Sequence, residues 1–250
     1  VPHPGIGLAS AVRMAEEGAK IALLDLQGSP LAAAQQQIEK AGAESLVLEA
    51  DISQEEDIRK AIASVLEHWG RLDILVANAG INGVLSPIES MELNDWNRTM
   101  SINLTGTFLC LKHAIAALKK NGGGSIVITS SINGNRVFSS FGFSAYSTSK
   151  AGQVAFTKMA ALELARYKIR VNAICPGAIE TNIGESTERR PEVENIKIPV
   201  EFPEGDQPLK HKAGQPRQVA NLVLFLASDE SDHVTGSVVF VDGAESLIHG

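Results

Sequence analysis

The sequence predicts an α/β protein built on one doubly wound parallel sheet. Short apolar runs alternate with longer amphipathic ones almost to the end of the chain, the order that gives parallel strands covered on both faces by helices. Five successive strand-to-helix corners carry Asp, Asn, Ser, Gly or Pro: Asp25, Asp51-Ile52, Asn78-Ala79-Gly80, Ser130-Ser131 and Pro176-Gly177. Turn chemistry favours these residue types at any corner, and ligands of such sheets sit at the carboxyl ends of the strands. A length of 250 residues, 44% of them hydrophobic, provides one sizeable core. Residues 1–250 are therefore read as a single domain.

Taken in order, Lys20 to Leu26 reads as a buried strand. Ser29 to Lys40 reads as a helix with Ser29 as N-cap and Pro30 in its first position, where a fixed φ and a missing N–H cost nothing. A strand over 45–50, a helix over 53–69 and a strand over 72–77 complete a βαβαβ run. The amphipathic pattern from Leu93 to Leu118 predicts a long helix, ended by Asn121-Gly122-Gly123-Gly124, whose glycines suit a left-handed turn. Next come a strand over 125–129, a helix carrying Tyr146 up to about Tyr167, and a strand over 169–174. Prolines and charges break the rhythm between 182 and 213, and a helix over 216–226 and a strand over 237–241 close the chain.

Composition narrows the partners. A net charge of -7 without a run of basic residues argues against nucleic acid, and no uninterrupted apolar run approaches the ~20 residues of a membrane span. Cys110 and Cys175 lie in apolar stretches without metal-ligand spacing, and the histidines are scattered, so no metal site is read. The expectation is a cytoplasmic protein with reduced thiols.

Chemistry enters with Phe143-Ser144-Ala145-Tyr146-Ser147-Thr148-Ser149-Lys150. On a helix Tyr146 and Lys150 share one face, and an ammonium beside a phenol favours the phenolate and lowers its pKa. Such a pair is a poised acid and base for an alcohol oxygen. Asp25 stands 18 residues beyond Gly7, close to where an acidic residue holds an adenosine ribose, and it repels a 2′-phosphate. With Leu26 next to it and no adjacent Arg, NAD is favoured over NADP; the other reading of Asp25 is a surface loop residue.

These pieces, with Gly5-Ile6-Gly7, Asn103, Thr181 and the terminal Thr235-Gly236 to Asp242-Gly243, resemble the short-chain dehydrogenase/reductase family of the classical type, from Gly5 to the C-terminus. The resemblance implies a Rossmann-like fold and hydride transfer between nicotinamide and a secondary alcohol or ketone. It implies that Tyr146 exchanges the proton, Lys150 binds the nicotinamide ribose, Ser131 hydrogen-bonds the substrate oxygen, and Asn103 holds a water linking Lys150 to solvent. Asn103 also reads as a satisfied buried amide. Ser131 and Ser130 compete for the serine role, because the 15-residue spacing from Ser131 to Tyr146 exceeds the family's usual dozen or so. Thr181, with the Ile179 backbone, is implied at the carboxamide, or serves as a helix N-cap.

The amino terminus departs from the family. Val1 stands where the first glycine of the family's turn belongs, Pro2 and Pro4 lack backbone donors for a pyrophosphate, and no strand precedes them, which reads either as a sequence given without its natural start or as true divergence. Without that strand, Ile21 to Leu24 and Ile74 to Val76 are expected to lack their shared neighbour. Residues 182–213 are expected to form a mobile substrate lid, in which Thr187-Glu188-Arg189-Arg190 either faces water or brings a guanidinium to an acidic substrate. The resemblance also implies a homotetramer or homodimer, through Leu104, Phe108, Leu111, Ile115 and the run Val238 to Val241. The alternative function is a homologue defective in cofactor binding that serves as a structural or regulatory subunit.

Overall fold

In the computed structural model, which describes residues 5–196, 202–203 and 205–249, the predicted alternation of strands and helices is present. The chain enters as α1 (Ile6–Ala15), which has no counterpart among the sequence predictions. Then come β1 (Ile21–Asp25), α2 (Leu31–Lys40), β2 (Ser45–Glu49), α3 (Glu55–Trp69) and β3 (Ile74–Ala77). Val1, Pro2 and Pro4, on which the altered turn was read, lie outside the described residues.

Two helix starts differ from the sequence expectation for local reasons. Pro30, not Ser29, occupies the N-cap of α2, and no side chain caps that end. Gly28, at φ +85, turns the chain so that the Ser29 carbonyl takes the Leu31 N–H at 2.7 Å. Farther on, Asp51 Oδ1 accepts both the N–H and the hydroxyl of Ser53 at 2.8 and 2.7 Å, which delays α3 to Glu55. Its first turn is acidic and its end is the left-handed Gly70, both favourable to a helix.

A short strand β4 (Gly83–Leu85) precedes α4 (Leu93–Met100), a π-helical turn over Ser101–Thr105, and α5 (Gly106–Lys120). The single helix expected here is thus interrupted by one widened turn. By length and composition alone Leu93–Lys120 is apolar enough to cross a membrane, yet Leu109, Leu111, Ala114 and Leu118 are core residues. The chain ends with β5 (Gly124–Thr129), α6 (Ser144–Leu164), β6 (Ile169–Pro176), β7 (Thr187–Arg189), α7 (Pro216–Ala227), β8 (Val238–Val241) and α8 (Glu245–His249).

Strands β3, β5, β6 and β8 form a parallel sheet in the order β3-β5-β6-β8. One face packs Ile126 and Ile128 against α5 and α6; the other packs Val127 and Ile174 against Val219, Val223 and Leu226 of α7. Each such fully buried aliphatic side chain contributes roughly 1.5–3 kcal/mol. Beside this sheet, β1 and β2 pair only with each other, and no ladder joins β1 to β3 among the described residues. Leu23, Leu24 and Ile74 to Val76 are only half-buried, while β6 is buried almost throughout.

Candidate active site

Residue by residue, the strand corners assemble two adjoining regions at the carboxyl end of the sheet. In the first, α1 begins at Gly5 with no side-chain cap and no acidic residue in its first turn. Among the described residues no side chain caps its first amide groups, and the helix dipole favours an anion there. A Cβ on Gly7 would lie 2.8 Å from Asn78 Nδ2, and one on Gly5 would lie 3.6 Å from Asn182 Oδ1. Ile6 packs against the α7 cluster. At the end of β1, the exposed Asp25 accepts the Leu26 N–H through Oδ1 at 2.7 Å, leaving its other oxygen to solvent. Asp51 is engaged by Ser53, and Ile52 is buried against α3 and α5.

The second region is built by β5, α6 and the π-helical turn. Tyr146 and Lys150 lie one turn apart on α6, only 7% and 3% exposed, with Lys150 Nζ 5.6 Å from the phenol ring centroid. Lys150 Nζ donates to the Thr129 carbonyl at 2.9 Å. A Cβ on Gly80 would stand 3.4 Å from Nζ and 3.0 Å from Asn103 Oδ1, so Asn78-Ala79-Gly80 forms a bare-backbone ledge beside the lysine. Of the two competing serines, Ser131 is the one that acts on the Tyr146 phenol, drawing its pKa down, whereas Ser130 donates to the Lys150 carbonyl at 2.8 Å.

Asn103 sits at the centre of the π-helical turn with its polar atoms engaged. Its amide donates to Ile81 O and Ser149 Oγ at 2.9 and 3.0 Å and accepts the Ile81 N–H at 2.9 Å. Its backbone carbonyl accepts from Thr107 Oγ1 and Gln153 Nε2 at 2.7 and 2.8 Å. This geometry ties the turn to α6 and to the corner after β3. Gln153, fully buried three residues past Lys150, escaped the sequence reading; its signal was a polar residue in the small and apolar run that follows the lysine.

Electrostatics differ from the expectation that the lysine lowers the tyrosine's pKa. Burial pushes the Tyr146 phenol above its ordinary value, the Ser131 hydroxyl pulls it back, and Cys175 adds to the rise. Burial also brings Lys150 down to about 8, with Cys175 opposing. The physical reason is desolvation, which disfavours phenolate and ammonium alike and is the largest cause for each group. Cys175, a buried free thiol, is itself pushed up to about 11, chiefly by burial.

The end of β6 and the lid segment border this region. The Gly177 N–H donates to Val241 O at 3.1 Å and the Ala178 N–H to Glu245 Oε2 at 2.8 Å, so α8 braces the Pro176-Gly177 corner. Ile179 bridges to Gly214, and Thr181 Oγ1 faces the Ile183 N–H at 3.5 Å, beside a short helical turn. Part of the expected lid, residues 197–201 and 204, lies outside the described residues. Within the rest, β7 pairs in parallel with β4, and Asn82 Nδ2 donates to Thr187 Oγ1 at 2.8 Å. Arg189 pairs with Glu194, and Arg190 with Asp95 and Glu188; both guanidinium groups are engaged within the chain.

Three observations test whether a dinucleotide fits. The uncapped start of α1 suits a pyrophosphate, the bare backbone at Gly7 and Gly80 leaves room beside Asn78 and Lys150, and the buried Thr129 hydroxyl has no partner among the described residues. By strand alternation Thr129 faces the side of Val127, toward α7 and away from α6. These residues fit the group.

Comparison with known proteins agrees with this arrangement. Residues 2–244 match the family described as Enoyl-(Acyl carrier protein) reductase. Levodione reductase from Leifsonia aquatica is 36% identical over 98% of this chain and 91% of its own length. The crystal structure of a 3-ketoacyl-ACP reductase from Sinorhizobium meliloti superposes with a TM-score of 0.94 at 44% identity, covering 98% of this chain and 96% of that one. NAD+-bound xylitol dehydrogenase gives 0.83 at 32% identity, covering 94% and 93%. A Rossmann-like sheet, an α6 that carries tyrosine and lysine, and relatives matched over nearly their whole length lead to one conclusion: the chain belongs to the short-chain dehydrogenase/reductase family, as an oxidoreductase homologue of the classical type.

Proposed function

We propose that the chain is an NAD-dependent oxidoreductase that moves a hydride between a nicotinamide ring and a secondary alcohol or ketone, with Ser131, Tyr146 and Lys150 handling the oxygen. The observation that carries this reading is the buried Tyr146 and Lys150 on one face of α6, with the Ser131 hydroxyl acting on the phenol. A nicotinamide dinucleotide, when bound, supplies the hydride acceptor or donor. Gly5, Ile6 and Gly7 at the start of α1 would hold its pyrophosphate, Asp25 and Leu26 its adenosine ribose, and Asp51 with Ile52 the adenine side. Asn78, Ala79 and Gly80 line its nicotinamide half with Tyr146, Lys150, Pro176, Gly177, Ile179 and Thr181.

In reduction, the Tyr146 Oη gives its proton to the carbonyl oxygen, and the burial that keeps the phenol protonated suits that step. In oxidation, the same oxygen takes the alcohol proton, and the charged form of Lys150 favours the phenolate that results. Ser131 donates to the oxygen as negative charge develops there. Asn103 keeps the Gly80-Ile81 corner and α6 in register around the lysine. Asp25 favours NAD, since a carboxylate repels a 2′-phosphate. The relatives named above are a levodione reductase, a 3-ketoacyl-ACP reductase and a xylitol dehydrogenase, which supports the alcohol or ketone class and leaves the carbon skeleton open.

A cytoplasmic homotetramer or homodimer completes the reading. Phe108, Met159 and Leu162 of α5 and α6 stand exposed and support association through these helices. Leu111, expected on that face, belongs to the core.

Calorimetric titration with NADH and NADPH in parallel tests the proposal. Tighter binding of NADH is expected. Tighter binding of NADPH refutes the cofactor choice, and binding of neither by folded protein replaces the enzyme reading with that of a structural or regulatory subunit.

A further inference from the structure

We propose that Asn135 is a positioning residue that sets the Ser131 hydroxyl against Tyr146, an inference that rests on the hydride-transfer reading above. The loop between β5 and α6 owes its shape to a tight turn over 132–135. The N–H groups of Asn135, Arg136 and Val137 all converge on the Ile132 carbonyl at 3.0–3.1 Å or, for Arg136, 2.9 Å. Gly134, at φ +81, lies so close to the Ser147 carbonyl that any Cβ there would collide with it. The turn is thereby seated on α6, one residue past Tyr146.

From this seat the Asn135 side chain reaches back into the site. Its Nδ2 donates to the Ser131 carbonyl at 2.7 Å and to Ser130 Oγ at 3.2 Å, with Cys175 Sγ at 3.9 Å. Ser130 in turn donates to the Lys150 carbonyl at 2.8 Å. One amide therefore connects the Ser131 backbone, the neighbouring strand β6 and, through Ser130, the lysine turn of α6. Ladder bonds from the Ser130 N–H to Ile174 O and from the Ile132 N–H to Pro176 O fix the residues on either side at 2.8 and 3.1 Å. The Ser131 carbonyl takes its bond from Asn135.

The consequence falls on the serine hydroxyl. Ser131 Oγ accepts the Asn133 N–H at 3.1 Å, which uses an acceptor position and leaves its own proton for the phenol or a substrate oxygen. Asn133 is held within the same turn, its Oδ1 accepting from Ser140 Oγ at 2.8 Å. If Asn135 lets the Ser131 carbonyl go, the peptide that carries this geometry is free to rotate, and the Ser131 hydroxyl shifts relative to the Tyr146 phenol. Asp is the isosteric replacement, but an ionised carboxylate only accepts and so repels the Ser131 carbonyl.

The test reads the phenol itself and needs neither cofactor nor turnover, so it fails or succeeds apart from the enzyme reading. The chain has two tyrosines, Tyr146 and Tyr167, so 13Cζ-tyrosine labelling gives two NMR resonances, and Tyr146→Phe assigns them. At neutral pH the Tyr146 resonance in Asn135→Ala is expected to move in the same sense as in Ser131→Ala, by at least half as much. The double variant is expected to move no farther than Ser131→Ala alone, since one residue acts through the other. Asn135→Asp repeats the measurement with packing volume kept, in case the alanine variant does not fold. A shift below half in the folded variants, or shifts that add in the double variant, overturns the proposal.

Discussion

Replacing Lys150 by Met tests the electrostatics of the site most directly. The residue is 3% exposed and its pKa is brought down to about 8 from an ordinary 10.5, mainly by burial. Between those two values the unfolded chain binds more protons at this position than the folded one, so stability rises with pH through the window. Below about pH 8 the folded protein carries the whole cost of a buried ammonium, roughly 3 kcal/mol over that interval at ~1.4 kcal/mol per pH unit. Met keeps most of the aliphatic volume and removes the charge, but it abandons the hydrogen bond to the Thr129 carbonyl, at a cost of about 1–3 kcal/mol. At pH 7 the two effects partly cancel. The decisive quantity is how the difference between the two proteins changes with pH, because the lost hydrogen bond contributes equally at both ends. Urea unfolding of both proteins at pH 7 and pH 10.5 is expected to show Lys150→Met losing about 3 kcal/mol relative to the parent as pH rises. A difference that stays constant between the two pH values refutes the depressed lysine pKa and the desolvation argument with it.

Other outcomes follow from the same geometry. Tyr146→Phe is expected to abolish turnover of secondary alcohols while leaving the NADH dissociation constant within about twofold, because it removes the proton carrier and little cofactor contact; full activity sinks the assignment. Asp25→Ala is expected to narrow the ratio of NADPH to NADH dissociation constants, and an unchanged ratio makes Asp25 an ordinary loop residue. Ala244 holds a left-handed φ of +72, so Ala244→Gly is expected to stabilise the protein by about 1 kcal/mol, read as a rise in Tm of roughly 2–4 °C; an unchanged or lower Tm contradicts the strain.

The sequence by itself determined the α/β class, the order of most strands and helices, and the residues at the strand corners. It could do so because period and turn chemistry are local: KIALLDL reads as a strand, and Asn121 to Gly124 as a stop, without knowledge of any neighbour. Tyr146 and Lys150 were legible for the same reason, their spacing placing them on one helical face. The tertiary structure alone decided what depends on packing between distant segments. Desolvation, not the adjacent lysine, governs Tyr146, since burial is set by everything that covers α6. Ser131 rather than Ser130 acts on the phenol, while Ser130 is turned to the Lys150 carbonyl. The arginines of the lid find Glu194, Asp95 and Glu188. Asn103 is bound at its amide and its carbonyl by residues 22 to 50 positions away and by its own helix. Such contacts leave no periodic trace in a sequence, because hydrogen bonds between remote segments depend on where the fold brings them.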